Sequence, residues 1–180
     1  MFTKAALVTL LCIGATTAQK WQNNCSGPVQ KHLRYNMSNR AIPDGLPVQD
    51  PKETLVEAIC CDLNYRGYAE TQGTFSHSDI DLFKHMKLNE KGETTFYDPI
   101  CGIPLFIVPR GRTLEAFKNE TTEHGWPSFR DEEIVKGNVF NESGGPGVRS
   151  ACGTHLGDNL PEGGHNRYCL DLACVSGNPK

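Results

Sequence analysis

The chain opens on an apolar run from Ala5 to Ala15, broken only by Thr9 and Gly14. One charge, Lys4, precedes it, and Thr16-Thr17-Ala18 close it before the polar Gln19-Lys20. An early charge, a short apolar core and a small-residue exit are the parts of a secretory signal. Residues 1–18 are therefore expected to be a cleaved leader that takes Cys12 with it. The run is too short to span a bilayer and no second one follows, so no membrane association is expected. Between 19 and 52, Pro28, Pro43, Pro47 and Pro51 break any long helix. That stretch reads as an extension laid over the domain, with Cys25 as a tether. Apolar residues at 55, 56, 59 and 63 predict a short amphipathic helix within 53–67. Ile80, Leu82, Phe83, Met86 and Leu88 predict a second within 78–88. After Gly92 the texture changes to short β-prone runs at 94–97, 103–108, 135–140, 148–152 and 166–175, split by Gly and Pro. The pattern predicts a mainly β, α+β fold: short helices first, then a compact antiparallel core.

The last run carries the first chemical hint. Side chains alternate faces along a strand. Arg167, Cys169 and Asp171 then share a polar face, and Tyr168, Leu170, Leu172 and Cys174 share an apolar one. A guanidinium beside a thiol favours the reactive thiolate. The pattern equally allows Cys169 to be half of a structural bridge.

Composition narrows the classes. At 180 residues the chain fits one domain with an extension. Its 18 Gly and 11 Pro favour a turn-rich β domain over a helical bundle. A net charge of −3 argues against a nucleic-acid binder, which would show a basic stripe. Of the 8 cysteines, Cys25, Cys60, Cys61, Cys101, Cys152, Cys169 and Cys174 remain once the leader is gone. That density suits an oxidising compartment, and the odd number leaves one thiol over or paired outside the chain. Sequons begin at Asn24, Asn36, Asn119 and Asn141, as in an extracellular, glycosylated protein.

Three segments then stand out: Cys101-Gly-Ile-Pro-Leu-Phe, Gly125-Trp-Pro-Ser-Phe129, and Cys152-Gly-Thr-His-Leu-Gly157 followed by Arg167-Tyr-Cys169. With Tyr68-Ala-Glu-Thr-Gln-Gly-Thr-Phe upstream, their order and spacing resemble the methionine-R-sulfoxide reductase family of the MsrB type. The resemblance spans roughly 62–177 and leaves 19–61 as an N-terminal extension. It implies a small open β-barrel of two antiparallel sheets with helices outside. It also implies a chemistry, in which a cysteine attacks the sulfur of methionine-R-sulfoxide and becomes a sulfenic acid. An external thiol reductant then restores the cysteine. The resemblance assigns attack to Cys169, with Arg167 beside it, and sulfoxide binding or protonation to His155. Trp126 would pack on the substrate methyl, and Phe129, Asp158 and Asp171 would complete the substrate site. Oxidised methionine in extracellular proteins is the implied substrate.

Departures from the family pattern carry as much weight. Asp158 stands where a second histidine is usual, and Asp171 where asparagine is frequent. An ionised Asp158 would oppose thiolate formation at Cys169. His165 lies near in sequence and could substitute for the missing histidine. His124 occupies a common position of the resolving cysteine. Asp98 and Arg149 replace one cysteine in each Cys-x-x-Cys pair of the family's structural zinc site, so no metal is expected. If the backbone is kept, Cys101 and Cys152 face each other and form a disulfide, or else remain buried thiols. Cys60 and Cys61 would then join Cys25 and Cys174 in either order, leaving Cys169 over. Two functions follow as expectations: a secreted peptide-methionine (R)-S-oxide reductase, or a catalytically impaired extracellular or matrix protein that uses the same scaffold for binding.

Overall fold

A computed structural model of the chain describes residues 25, 27–37, 40, 54–62 and 68–180. The expected leader, the sequon at Asn24 and the tail of the first predicted helix lie outside the described residues.

Helix α1 (Leu55–Cys61) begins at a capping box: the Thr54 hydroxyl accepts from the Glu57 N–H, and the Glu57 carboxylate accepts from the Thr54 N–H. It buries Leu55, Val56, Ala58, Ile59, Cys60 and Cys61 and stops at Asp62. The second predicted helix shrinks to one turn, α2 (Leu82–His85), capped by the Asp81 side chain. Helix α3 (Leu114–His124) was not foreseen. It buries only Phe117 and Thr121, so no apolar stripe advertises it. Its ends do: Thr113 caps the start, and Gly125 closes it at φ 83°, a conformation natural to glycine.

Strands β1 (Thr94–Tyr97) and β2 (Pro104–Val108) form a two-stranded antiparallel sheet. Strands β3 (Ser128–Phe129), β4 (Val139–Asn141), β5 (Gly147–Ser150), β6 (His155–Asn159) and β7 (Tyr168–Leu170) form a five-stranded antiparallel sheet in the order β3-β7-β6-β5-β4. The fold is thus mainly β, two antiparallel sheets with short helices, and no closed barrel forms. The last predicted strand is shorter than expected. It ends at Leu170, and Leu172–Cys174 turn into a single 3₁₀ turn.

The two sheets meet over an aromatic core. Phe96, Phe106, Phe117 and Phe129 are fully buried. Phe106 and Phe129 stack at 4.3 Å between centroids, and Phe96 meets Phe129 edge-on at 5.2 Å. The N-terminal extension joins the same core through buried Tyr35 and Met37, and the Tyr35 hydroxyl donates to the Leu82 carbonyl at 2.9 Å. Three cysteine pairs stand at bonding distance: Cys25–Cys61, Cys60–Cys174 and Cys101–Cys152. The first two tie the extension to α1 and α1 to the C-terminal turn, resolving the order left open by the sequence. Cys169 is the free cysteine among the described residues. Among those residues no helix is long and apolar enough to cross a membrane.

Candidate active site

Strand β7 lies between β3 and β6, so Cys169 at its centre has a neighbour on each side. It sits opposite Ser128 of β3 and opposite Asp158 of β6. The backbones approach closely next to it. A Cβ on Gly157 would lie 2.4 Å from the Cys169 carbonyl oxygen, and φ there is 136°, so only glycine serves.

The half-buried Cys169 opens on a cleft of about 200 Å³. Its walls are Tyr68, Ala69, Trp126, His155, Gly157, Asp158, Leu160, Leu170 and Asp171. The cleft therefore gathers four chain segments: Tyr68 and Ala69, the turn after α3, β6, and the end of β7. Trp126 is held by its indole N–H, which donates to the Glu70 carbonyl at 3.2 Å. His155 and Arg167 are each 8% exposed.

The expected site residues thus fall into two groups. Cys169, Trp126, His155, Asp158 and Asp171 share the cleft, and Arg167, outside its walls, acts on the Cys169 thiol. Phe129 does not belong there. Its ring is wholly buried between Phe96, Phe106 and Phe117, because its neighbour Ser128 takes the position facing Cys169. Its role is packing. His165 is exposed and lines a different cleft with Arg110, Arg112 and Arg130, so it does not replace the missing histidine. His124, at the end of α3, faces Glu162 at 3.3 Å.

Electrostatics corrects a second expectation. The Cys169 thiol is pushed up, not down: burial disfavours the anion most, and the charges of Asp171 and Asp158 add to it. The Arg167 hydrogen bond and charge pull the other way and do not prevail. Arg167 is itself shared, its Nε donating to Glu162 at 2.9 Å. The alternation pattern revealed the neighbouring cation but neither the burial nor this competing carboxylate.

Asp171 was expected in the site, but its link to Glu70 was not foreseen. Glu70 is 3% exposed, and its carboxylate accepts the N–H groups of Leu172 at 2.5 Å and Ala173 at 2.9 Å. In return, the Glu70 N–H donates to the carboxylate of Asp171. Burial pushes Glu70 up to about 7. Burial and the nearby Glu70 charge push Asp171 well above the usual carboxylate range.

At the turn between β5 and β6, Cys152 lies with Asp98 and Cys101, one ligating atom of each within 4.8 Å of the others. The buried Asp98 accepts the N–H groups of Ile100 at 2.7 Å and Cys101 at 3.1 Å through Oδ1. Arg149 turns away to Glu142, its Nε donating at 2.9 Å. Of the sequons, Asn119 on α3 and Asn141 at the end of β4 are exposed, and Asn36 is half-buried.

No protein-family model matches the chain. No curated protein matches it either.

Proposed function

We propose that the chain is a secreted peptide-methionine (R)-S-oxide reductase whose nucleophile is Cys169. The observation that carries this reading is the convergence of a free cysteine, a tryptophan and a histidine on one small cleft, while six other cysteines are paired off. Trp126 offers an aromatic wall for a thioether methyl, a contact worth roughly 0.3–1.5 kcal/mol. The sulfur of Cys169 attacks the sulfoxide sulfur. The S–O bond breaks, the methionine sulfur is reduced by two electrons, and Cys169 leaves as the sulfenic acid. A thiol from outside condenses with it, releasing water, and a second thiol returns Cys169 to its reduced form. His155 lines the same cleft and is read as the group that binds the sulfoxide oxygen. Arg167 steadies the thiolate as it forms.

The group at Cys101 and Cys152 is read as a structural staple. Two sulfurs joined to each other and one carboxylate do not fit the closed four-ligand site of structural zinc. Three disulfides and the exposed sequons at Asn119 and Asn141 support an extracellular setting, with oxidised methionine in neighbouring proteins as substrate.

The raised Cys169 thiol favours a second reading, a scaffold that binds partners and has lost turnover. One assay separates the two. The purified mature protein is incubated with the R and S epimers of a methionine sulfoxide peptide and dithiothreitol. The reductase reading requires loss of the R epimer alone, abolished by Cys169→Ser. A folded protein that reduces neither epimer refutes it.

A further inference from the structure

The proposed reaction has a proton to move. Cys169 holds its thiol proton in the resting cleft, and the sulfoxide oxygen must gain one as the S–O bond breaks. Asp158, opposite Cys169 on β6, lines the same cleft. We infer that Asp171 and Glu70 act as one proton-sharing carboxyl pair that relays the thiol proton of Cys169 to the sulfoxide oxygen, with Asp171 as donor and Glu70 as positioning residue. This rests on the reductase reading of the cleft.

The geometry is a reciprocal clamp. Asp171 lines the cleft two residues after the nucleophile, and its carboxyl receives the Glu70 N–H. The Glu70 side chain reaches past it to the Leu172 and Ala173 N–H groups, in the turn that follows Asp171. The backbone that carries Asp171 therefore cannot leave the cleft without breaking the bonds from Leu172 and Ala173 to Glu70. The same segment holds Trp126 through the Glu70 carbonyl, so proton donor and methyl-binding ring are set by one anchor. Both carboxyls are nearly inaccessible to water, at 3% and 4% exposure. The Glu70 backbone meets the Asp171 carboxyl, while the Glu70 carboxyl holds the next two residues, and two buried carboxyls so placed resist double ionisation and titrate as a pair.

The charges facing this pair are few. Asp158 acts on Asp171, and Arg40 acts on Glu70 from a distance. Arg167, Asp158 and Asp171 act on Cys169, and His155 lines the cleft beside them. The balance is then closed within the cleft. As the Cys169 sulfur bonds to the substrate sulfur, the Asp171 O–H breaks and its proton bonds to the sulfoxide oxygen. The carboxyl pair is refilled by the proton that Cys169 gives up, so the pair returns to its starting state. The hydroxyl passes to Cys169 as the sulfenic acid, and the reduced thioether departs.

The test is single-turnover reduction of an R-sulfoxide peptide between about pH 5 and about pH 9. Wild type should slow on the alkaline side as the pair loses its shared proton. Asp171→Asn should lower the rate constant by about 10²–10⁴-fold, the usual contribution of a general acid. Glu70→Gln should keep the optimal rate within about tenfold but move the alkaline limb to lower pH, because Asp171 loses the neighbouring charge that raises it. A purely structural Glu70 would leave that limb in place, and such a result, or an unimpaired Asp171→Asn, overturns the relay. Infrared spectroscopy of the wild type covers the case of variants that do not fold. A buried protonated-carboxyl band at neutral pH is expected, and its absence overturns the pair. A wild type that shows the band yet reduces neither epimer removes the reductase reading and the relay together. Turnover with an unmoved profile removes the relay alone.

Discussion

Replacing Glu70 by glutamine should flatten the pH dependence of stability. Glu70 is 3% exposed and is raised from 4.5 to about 7 by its burial, despite two backbone N–H groups that favour the anion. Each pH unit between the unfolded and folded values is worth about 1.4 kcal/mol. Ionising Glu70 inside the fold thus costs on the order of 3 kcal/mol. Because the folded value lies above the unfolded one, the native state holds a proton that the unfolded chain releases. This contribution is complete below about pH 4.5, fades as the pH rises, and is gone above about pH 7. Asp171, raised by the same burial, tilts stability in the same direction. Urea unfolding at about pH 5 and about pH 8, with disulfides intact, measures the tilt. The wild type should be weaker at the higher pH. Glutamine offers one acceptor oxygen where the carboxyl offers two, so Glu70→Gln should cost about 1–3 kcal/mol at the lower pH. At the higher pH the variant has no charge to bury and should match or exceed the wild type. Parallel losses in both proteins would show that Glu70 ionises normally, and the argument for a buried proton at this position would fail.

Three further outcomes are expected. Removing the Cys101–Cys152 bridge by Cys→Ala at both positions frees a loop of 51 residues, worth about 4 kcal/mol on the chain-entropy account and read from the urea midpoint. Peptide mapping without reduction should recover this pair. Arg112→Ala should cost about 3–5 kcal/mol, because it strands the fully buried Glu133, which Arg112 holds through Nε at 2.8 Å and Nη2 at 2.6 Å. Adding Glu133→Gln should recover part of that loss, and strict additivity would refute the pairing. Alkylation of Cys169 by iodoacetamide at neutral pH should be slower than that of an unfolded peptide thiol. Its rate should still climb beyond pH 9.0, the ordinary thiol value, and a plateau near neutrality would contradict the burial argument.

The parts of the fold that were legible in the chain are those governed by local periodicity. Leu55, Val56 and Ile59 announce α1, and Thr94–Tyr97 and Ile103–Val108 announce the first sheet, because burial on one face writes itself into the spacing. Helix α3 escaped because it packs by Phe117 and little else, its polar remainder facing outward. Strand β6 escaped for the opposite reason. His155-Leu-Gly-Asp-Asn has weak β propensity, and it is a strand because β5 and β7 pair with it on both sides. Tertiary context made β6, whereas α3 is marked by its local caps at Thr113 and Gly125.

The site divides along the same line. Cysteine parity alone pointed to one thiol left over, since pairing is arithmetic, and alternation along β7 placed Arg167 beside it. Neither could give the sign of the thiol's shift, which depends first on how deep the sulfur lies and then on the charges of Asp171 and Asp158 around it. Phe129 was misplaced because lying three residues after Trp126 says nothing about which side of a two-residue strand faces the core. Glu70 was invisible for a more basic reason. The backbone groups that define it sit 102 and 103 residues further along the chain, and only folding turns an ordinary glutamate into a buried acid. In the proposed reaction the nucleophile is the part a sequence can disclose, since its identity is chemical. The proton's path is the part it cannot, since a carboxyl becomes a proton donor at neutral pH only through the burial and the neighbouring charge that the three-dimensional arrangement supplies.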